Sequence, residues 1–392
     1  MKHQFERVAI VLQGGGALGS YHVGAFKALA DAGYQPNFLS GISIGAVNAA
    51  IIAGNEPDVR LERLLQFWET ISWPEVHLPF VGDALSSTIA QTQAVLFGQP
   101  HFFAPRLINP YFSLDPSTAT SFCDPQQLRI TLTRFADFDL INAKQTRLTL
   151  GAVKVTSGKT VFFDNFKQTL TPEHVMASCA LPPSFPPVEI DGEFYWDGAC
   201  VSNTPLDGVL DAEPHVDTLV FMVDLVEAAG PLPTNMDMAL ARANAIRYAS
   251  RSLDHLEHEM IAQNLRTRLR DALDRLPENA RTDAELTELR KSLRDNEIHV
   301  VHVTQEPLSF DGAAAGTDFS RTTMALRAQS GYDDLQHAIE HSPWLQDFGS
   351  GGMRLYSYCG ETRLEAATEV PNPEAAPPPQ TRKAKTRASA SN

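Results

Sequence analysis

The chain of 392 residues has no uninterrupted apolar run of about 18 residues, so nothing in it reads as a membrane-crossing helix. Positive charge is scarce. Against 47 Asp and Glu stand 32 Lys and Arg, a net charge of -15. That balance argues against nucleic acid as a partner and against bulk electrostatic attraction to anionic lipid. Cysteine is rare too: Cys123, Cys179, Cys200 and Cys359 lie far apart with no CxxC spacing. They read as free thiols in a reducing compartment, and a cytoplasmic location follows. The opening residues (MKHQFERVAIVLQGGG) hold a short apolar run and then glycines, the mark of a first strand rather than a secretory leader. What remains is the composition of a globular protein, 43% hydrophobic and 20% charged. Its length suits one large domain, or one domain with an insertion.

Arg7 to Gln13 (RVAIVLQ) is apolar without strict alternation, as in a parallel strand covered on both faces. Gly14-Gly15-Gly16-Ala17-Leu18-Gly19 follows at once, and Tyr21 to Ala32 reads as a helix ended by Gly33. Gly14-x-Gly16-x-x-Gly19 has the form of the dinucleotide fingerprint, but one part is absent. The fingerprint wants an Asp or Glu at the end of the second strand to hold a ribose. Here Tyr34 to Ser40 runs instead into Gly41-Ile42-Ser43-Ile44-Gly45, followed by the helical run Ala46 to Ala53. Strand, sharp turn and helix make G-x-S-x-G a nucleophile elbow, with the Ser43 hydroxyl exposed and Gly41 and Gly45 avoiding a clash. A plain helix-capping turn uses the same residue types. With the first two strands as neighbours, the N–H groups of Gly14, Gly15 and Gly16 become an anion-binding nest beside Ser43. Such an oxyanion hole contributes about 3 kcal/mol per donor to a transition state.

Glu62 to Ser72 reads as a helix. From Trp73 to Pro116 the chain turns rich in proline and aromatics (Trp73, Phe80, Phe97, Phe102, Phe103, Tyr111, Phe112), which suits irregular core packing or an apolar cap that accepts an acyl chain. A helix over Asp124 to Arg134 and strands over Arg147 to Val155 and Thr160 to Phe163 come next. Glu173 to Cys179 is a short helix, and the prolines of Leu181 to Pro187 stiffen the segment after it. Val188 to Ile190, the Asp191-Gly192 turn and Phe194 to Trp196 form a hairpin. It delivers Asp197-Gly198-Ala199, where a rigid mount suits a catalytic base, although an isolated Asp-Gly is also an ordinary Asx-turn.

The glycine nest, the G-x-S-x-G some 25 residues on, the run from Ala177 to Val188 and the D-G-A at Asp197 together resemble the patatin-like phospholipase family, over roughly residues 7 to 225. The resemblance implies a three-layer α/β/α sandwich, with Ser43 as nucleophile, Asp197 as base and an oxyanion hole from Gly14, Gly15 and Gly16. Gly19, Gly41, Gly45 and Gly198 support these motifs. It implies a lipid acyl hydrolase, needing no metal or other cofactor, that acts on a lipid or other acyl ester and touches a membrane or lipid surface at most peripherally. One departure stands out: many members carry Arg or Lys where this chain has Leu18, which leaves neutral esters open. A carboxylesterase for small or polymeric hydroxyacyl esters, and a non-catalytic lipid- or granule-surface binding protein, are the alternatives. His22 and His174 lie near the motifs and read as packing or surface residues.

Beyond residue 225 the composition shifts. Met236 to Leu276 carries apolar residues in steps of three and four (Ile246, Leu253, Leu256, Met260, Ile261, Leu265, Leu269, Leu273, Leu276), an amphipathic helix. Ala284 to Leu293 returns as a second helix. Residues 226–297 therefore read as a helical hairpin packed on the α/β body or on a second copy of the chain. Residues 298–364, with a strand at Ile298 to Val303 and a helix at Phe319 to Ile339, complete the body. From about Glu365 to residue 392 the Ala/Pro/Ser/Thr-rich composition reads as a disordered tail.

Overall fold

The computed structural model describes residues 5–73, 83–115, 118–277, 284–293, 296–345, 352–359 and 362–364. Ten strands form one sheet: β1 (Arg7–Leu12), β2 (Phe38–Gly41), β3 (Arg147–Lys154), β4 (Thr160–Asp164), β5 (Val188–Ile190), β6 (Glu193–Asp197), β7 (Thr218–Asp224), β8 (Glu297–Thr304), β9 (Gly352–Cys359) and β10 (Thr362–Leu364). Their order is β10-β9-β8-β7-β1-β2-β3-β6-β5, with β4 also paired to β3. From β9 to β3 neighbouring strands are parallel. The two ends are antiparallel. β3 changes partner along its length, pairing β2 through Arg147–Leu150 and β6 through Ala152–Lys154.

The main helices are α1 (Tyr21–Asp31), α2 (Ile44–Ala53), α3 (Arg60–Ile71), α4 (Asp83–Phe97), α5 (Gln126–Phe135), α6 (Pro172–Ser178), α7 (Met236–Asp274), α8 (Ala284–Ser292) and α9 (Arg321–His341). β1 explains the layers. Val8, Ile10 and Leu12 enter the larger core with α1, α2 and α3, whereas Ala9 and Val11 face a second core containing Leu210, Met222 and Leu256. A strand apolar on both faces buries each of them, and the result is an α/β/α sandwich.

Three parts differ from the sequence reading. Within the segment taken as irregular, α4 is a full helix; its Ser- and Thr-rich sequence (DALSSTIAQTQAVLF) lacks a clear apolar stripe. β9 also went unread, and it extends the sheet beside β8. The apolar stripe of α7 is split: Leu256 is buried and Met260 packs beside it, but Ile246, Ile261, Leu265 and Leu269 are exposed. Gln263 and Thr267 are the inward residues further along, and Asn264 accepts from Met353 N–H of β9 at 2.9 Å. Phe80 and the tail from Glu365 lie outside the described residues.

The C-terminal helix α9 crosses α1 at very close range. A Cβ on Gly24 would lie 1.7 Å from the Ala328 carbonyl oxygen, which is backbone and cannot rotate away. Gly24→Ala must therefore push the helices apart, and we expect a loss of about 3 kcal/mol, read as a lower thermal midpoint. An unchanged midpoint would show that this crossing does not contribute to stability.

Candidate active site

The parallel pairing of β1 with β2 sets Leu12 beside Gly41, so the loops that leave these strands emerge side by side. Ser43 sits at the first turn of α2 with φ 55 and ψ -127, a region that a residue with a side chain occupies under strain. The turn is tight. A Cβ on Gly45 would meet the Leu12 carbonyl oxygen at 2.1 Å, and one on Gly41 would meet the Gly45 carbonyl at 2.4 Å. The Ser43 N–H is held at 3.0 Å by the Ser178 carbonyl and at 3.1 Å by its hydroxyl, which itself donates to Gly151 O at 2.6 Å. α6 thus pins the elbow from below. The sequence reading placed Ser178 in the Ala177 to Val188 run without assigning it this contact.

Asp197 ends β6 and is fully buried. Its Oδ1 accepts the Ala199 N–H at 2.8 Å, while Oδ2 makes no hydrogen bond of ordinary geometry. Burial raises its pKa to about 7, opposed by the Ala199 N–H and by the Ser43 hydroxyl. A carboxyl in this state is half ionised near neutral pH and can accept a proton. Neither histidine near the motifs competes for that role. His22 is buried against Asn48 and pushed by desolvation down to about 3, and His174 Nδ1 accepts from Thr171 N–H within a capping box. Neither lines the cavity around Ser43.

The glycine loop is not three equivalent donors. Gly14 N–H donates to Asn203 O at 3.2 Å, and Asn203 Nδ2 returns a bond to Gly14 O at 2.8 Å. Gly14 is therefore corrected from donor to anchor. No acceptor among the described residues pairs with the N–H of Gly15 or Gly16. Gln13 fixes the loop from the other side, donating to Thr204 and accepting from the N–H groups of Leu225 and Val226. Gly19 closes the loop against Ile44, and Gly198 follows Asp197 against Ile42. Asn203 stands in the stretch after Asp197, but sequence alone could not show which chain segment it clamps. Asn203→Ala should lower kcat about tenfold with KM within twofold, the loss of about 1.4 kcal/mol of hydrogen bonding to the loop. A rise in KM alone would mean that Asn203 contacts substrate instead.

Ser43, Asp197, Gly15 and Gly16 face one cavity of about 850 Å³. Its walls are mostly apolar: Phe102 and Phe103 from the aromatic segment, Leu181 and Phe185 from the proline run, and Phe319 beyond β8. Leu18 lines it as well, and Arg106 is the one Lys or Arg side chain that does so among the described residues. No cluster of three or more His, Cys, Asp or Glu there or elsewhere among the described residues could hold a metal.

The family model for patatin-like phospholipase matches residues 10–210, half of the chain. The chain belongs to the patatin-like phospholipase family. A second model, described as patatin phospholipase, matches residues 246–350, so the family signature runs on through α7 and α9. Membership in this family supports lipid ester hydrolysis. The triacylglycerol lipase SDP1L of Arabidopsis thaliana is 31% identical over 82 residues, which span 21% of this patatin-like chain but 8% of that lipase. VipD from Legionella pneumophila aligns with 13% identity and a TM-score of 0.34 over 86% of this chain and 67% of its own. Human GIVD cytosolic phospholipase A2 aligns with 12% identity and a TM-score of 0.34, over 57% and 43% respectively. At such scores the likeness in shape carries no functional weight.

Proposed function

We propose that the protein is a serine lipid acyl hydrolase of phospholipase A or esterase type. The observation that carries this reading is the strained elbow of Ser43 beside the buried, proton-accepting Asp197, both open to one apolar cavity. Asp197 takes the Ser43 proton as the hydroxyl attacks the ester carbonyl. The oxyanion that forms receives the free N–H groups of Gly15 and Gly16, aimed from a loop held by Asn203 and Gln13. The alcohol leaves with the proton from Asp197; water then attacks the acyl-serine with Asp197 again as base, the acyl–Oγ bond breaks to release the fatty acid, and Asp197 returns the proton to Ser43 Oγ. A carboxylate is a modest base for a serine hydroxyl, so the fixed donors carry much of the acceleration. The apolar walls suit an acyl chain better than a small polar group. The free thiols fit a reducing compartment such as the cytoplasm.

Hydrolysis of nitrophenyl esters across acyl lengths, alongside fluorophosphonate labelling, tests this. Turnover that lengthens its preference beyond short acyl groups, with label on Ser43, supports it. Turnover confined to short acyl groups favours the small-ester alternative. A chain that neither turns over nor takes label is not an enzyme of this class.

A further inference from the structure

One buried polar side chain in the cavity takes no part in the acyl-transfer scheme. Gln305, the residue that follows β8, lines the cavity and is 2% exposed. Neither Oε1 nor Nε2 of its carboxamide has a hydrogen-bond partner among the described residues. Its backbone is fixed, with the N–H donating to Asp224 O at 3.0 Å. Two unpaired polar atoms at that depth cost free energy unless something in the cavity satisfies them.

The sheet places Gln305 relative to Ser43. Thr304 is in register with Asp224, Val223 with Leu12, and Leu12 with Gly41, so the segments after β8, β7, β1 and β2 leave one edge side by side. Ser43 and Gln305 thus stand three strand spacings apart, about 14 Å between backbones, with Gly15 and Gly16 between them. Asp197 lies on the other side of Ser43, at the end of β6 beyond β3. The aromatic walls belong to that side: Phe103 packs edge-on to Phe185 with ring centroids 5.4 Å apart, and Phe122 N–H donates to Pro183 O. On the Gln305 side the lining changes. The start of α7 turns Ala241, Asn244, Ala245 and Tyr248, in steps of three and four, to the cavity, and Glu227 joins them after β7.

The cavity therefore has an apolar end and a polar end, with Ser43 between them. An acyl chain in the aromatic end directs the alcohol part of an ester across the glycine loop toward Gln305. The chemistry of that part follows from the atoms that await it. A hydroxyl both donates and accepts, so a pair of hydroxyls satisfies Oε1 and Nε2 together. A quaternary ammonium offers nothing to the Nε2 hydrogens. A phosphate finds no cation there, because Arg106 is tied through its backbone N–H to Phe122 O in the aromatic end, and it would meet Glu227 instead. A methyl or ethyl group is too short to span the glycine loop.

We infer that Gln305 is the specificity residue of a polar subsite for the alcohol part of the substrate, an uncharged polyol about the size of a hexose. This rests on the hydrolase reading above. The test compares 6-O-decanoyl glucose with methyl decanoate, which share the acyl group. The parent should favour the glucose ester in kcat/KM, and Gln305→Leu should lower that preference at least tenfold, mainly through KM on the glucose ester. Because the carboxamide pairs with nothing in the protein, Gln305→Leu should unfold at or above the temperature of the parent. A glutamine with only a structural role would instead lower the midpoint and leave the ratio of the two esters unchanged. Binding supplies a reading without turnover. In calorimetry with octyl glucoside below its micelle concentration, Ser43→Ala should bind the glucoside, and Ser43→Ala/Gln305→Leu should bind it at least fivefold more weakly. A parent that favours methyl decanoate, an ester ratio that survives Gln305→Leu, or a lowered midpoint would overturn the proposal, as would equal glucoside binding by the two Ser43 variants. Absence of all ester turnover in a parent whose Ser43→Ala form still binds the glucoside through Gln305 would sink the hydrolase reading and leave the subsite standing.

Discussion

Ser43→Ala is expected to lower kcat by about 10⁴-fold or more and to abolish fluorophosphonate labelling, since it removes the hydroxyl that would carry the acyl group. A Ser43→Gly variant separates chemistry from strain. Both substitutions remove the hydroxyl, but only glycine is at ease at φ 55 and ψ -127. Ser43→Gly should therefore unfold at higher temperature than Ser43→Ala, by a free energy of about 1 kcal/mol, while being equally inactive. Equal midpoints for the two would show that the elbow is relaxed in solution, and the strained nucleophile would have to be abandoned.

Asp197→Asn should reduce kcat by about 10³-fold, the usual size of a lost general base. It should also change stability in the opposite sense. The folded chain holds a proton on Asp197 up to about pH 7, whereas an unfolded carboxyl releases it near its ordinary value of 3.8. Between those two pH values only the folded state binds the proton, so stability falls as pH rises through that window. Above it the loss is complete, about 4 kcal/mol for a shift of this size. Asparagine keeps an oxygen for the Ala199 N–H and carries no charge, so the variant should be more stable than the parent at pH 8 and show little difference at pH 4. Catalysis runs the other way, because the carboxylate form is the base: kcat should climb with pH and level off above about 7. An acid limb near pH 4 instead would mean that Asp197 is solvated during turnover.

Much of the candidate site was legible because its residues lie in short, contiguous motifs. Ser43 announced itself through the glycines on either side, and Asp197 through the stiff hairpin that presents it. The strand that leads into Gly14 was equally clear from its unbroken apolar run. What could not be read were choices made by distant backbone. Gly14, Gly15 and Gly16 look alike in sequence, and only the return of Asn203 from 189 positions away decides that Gly14 N–H is occupied. Ser178 stands in the Ala177 to Val188 run, but its bond to the elbow depends on where α6 ends. The missed helix α4 has a different cause: it packs through small and polar residues and so shows no stripe. In α7 the stripe was visible but misleading, since a helix of 39 residues meets the sheet over part of its length and leaves Ile261 and Leu265 to solvent.

The carbonyl of Gly316, in the turn before α9, faces Gly16 so closely that a Cβ on Gly16 would lie 2.4 Å from it. The far wall of the glycine loop is thus supplied by a part of the chain some 300 positions away. A fragment ending after Leu225 would retain both Ser43 and Asp197 yet expose the edge of β7 as a raw template for aggregation. Trimming to a minimal enzyme at the edge of the motifs is therefore a poor engineering route. Libraries that vary Ala313, Ala315, Thr317 and Phe319, which line the same cavity as Ser43, should shift acyl preference as readily as libraries built around Ser43 itself.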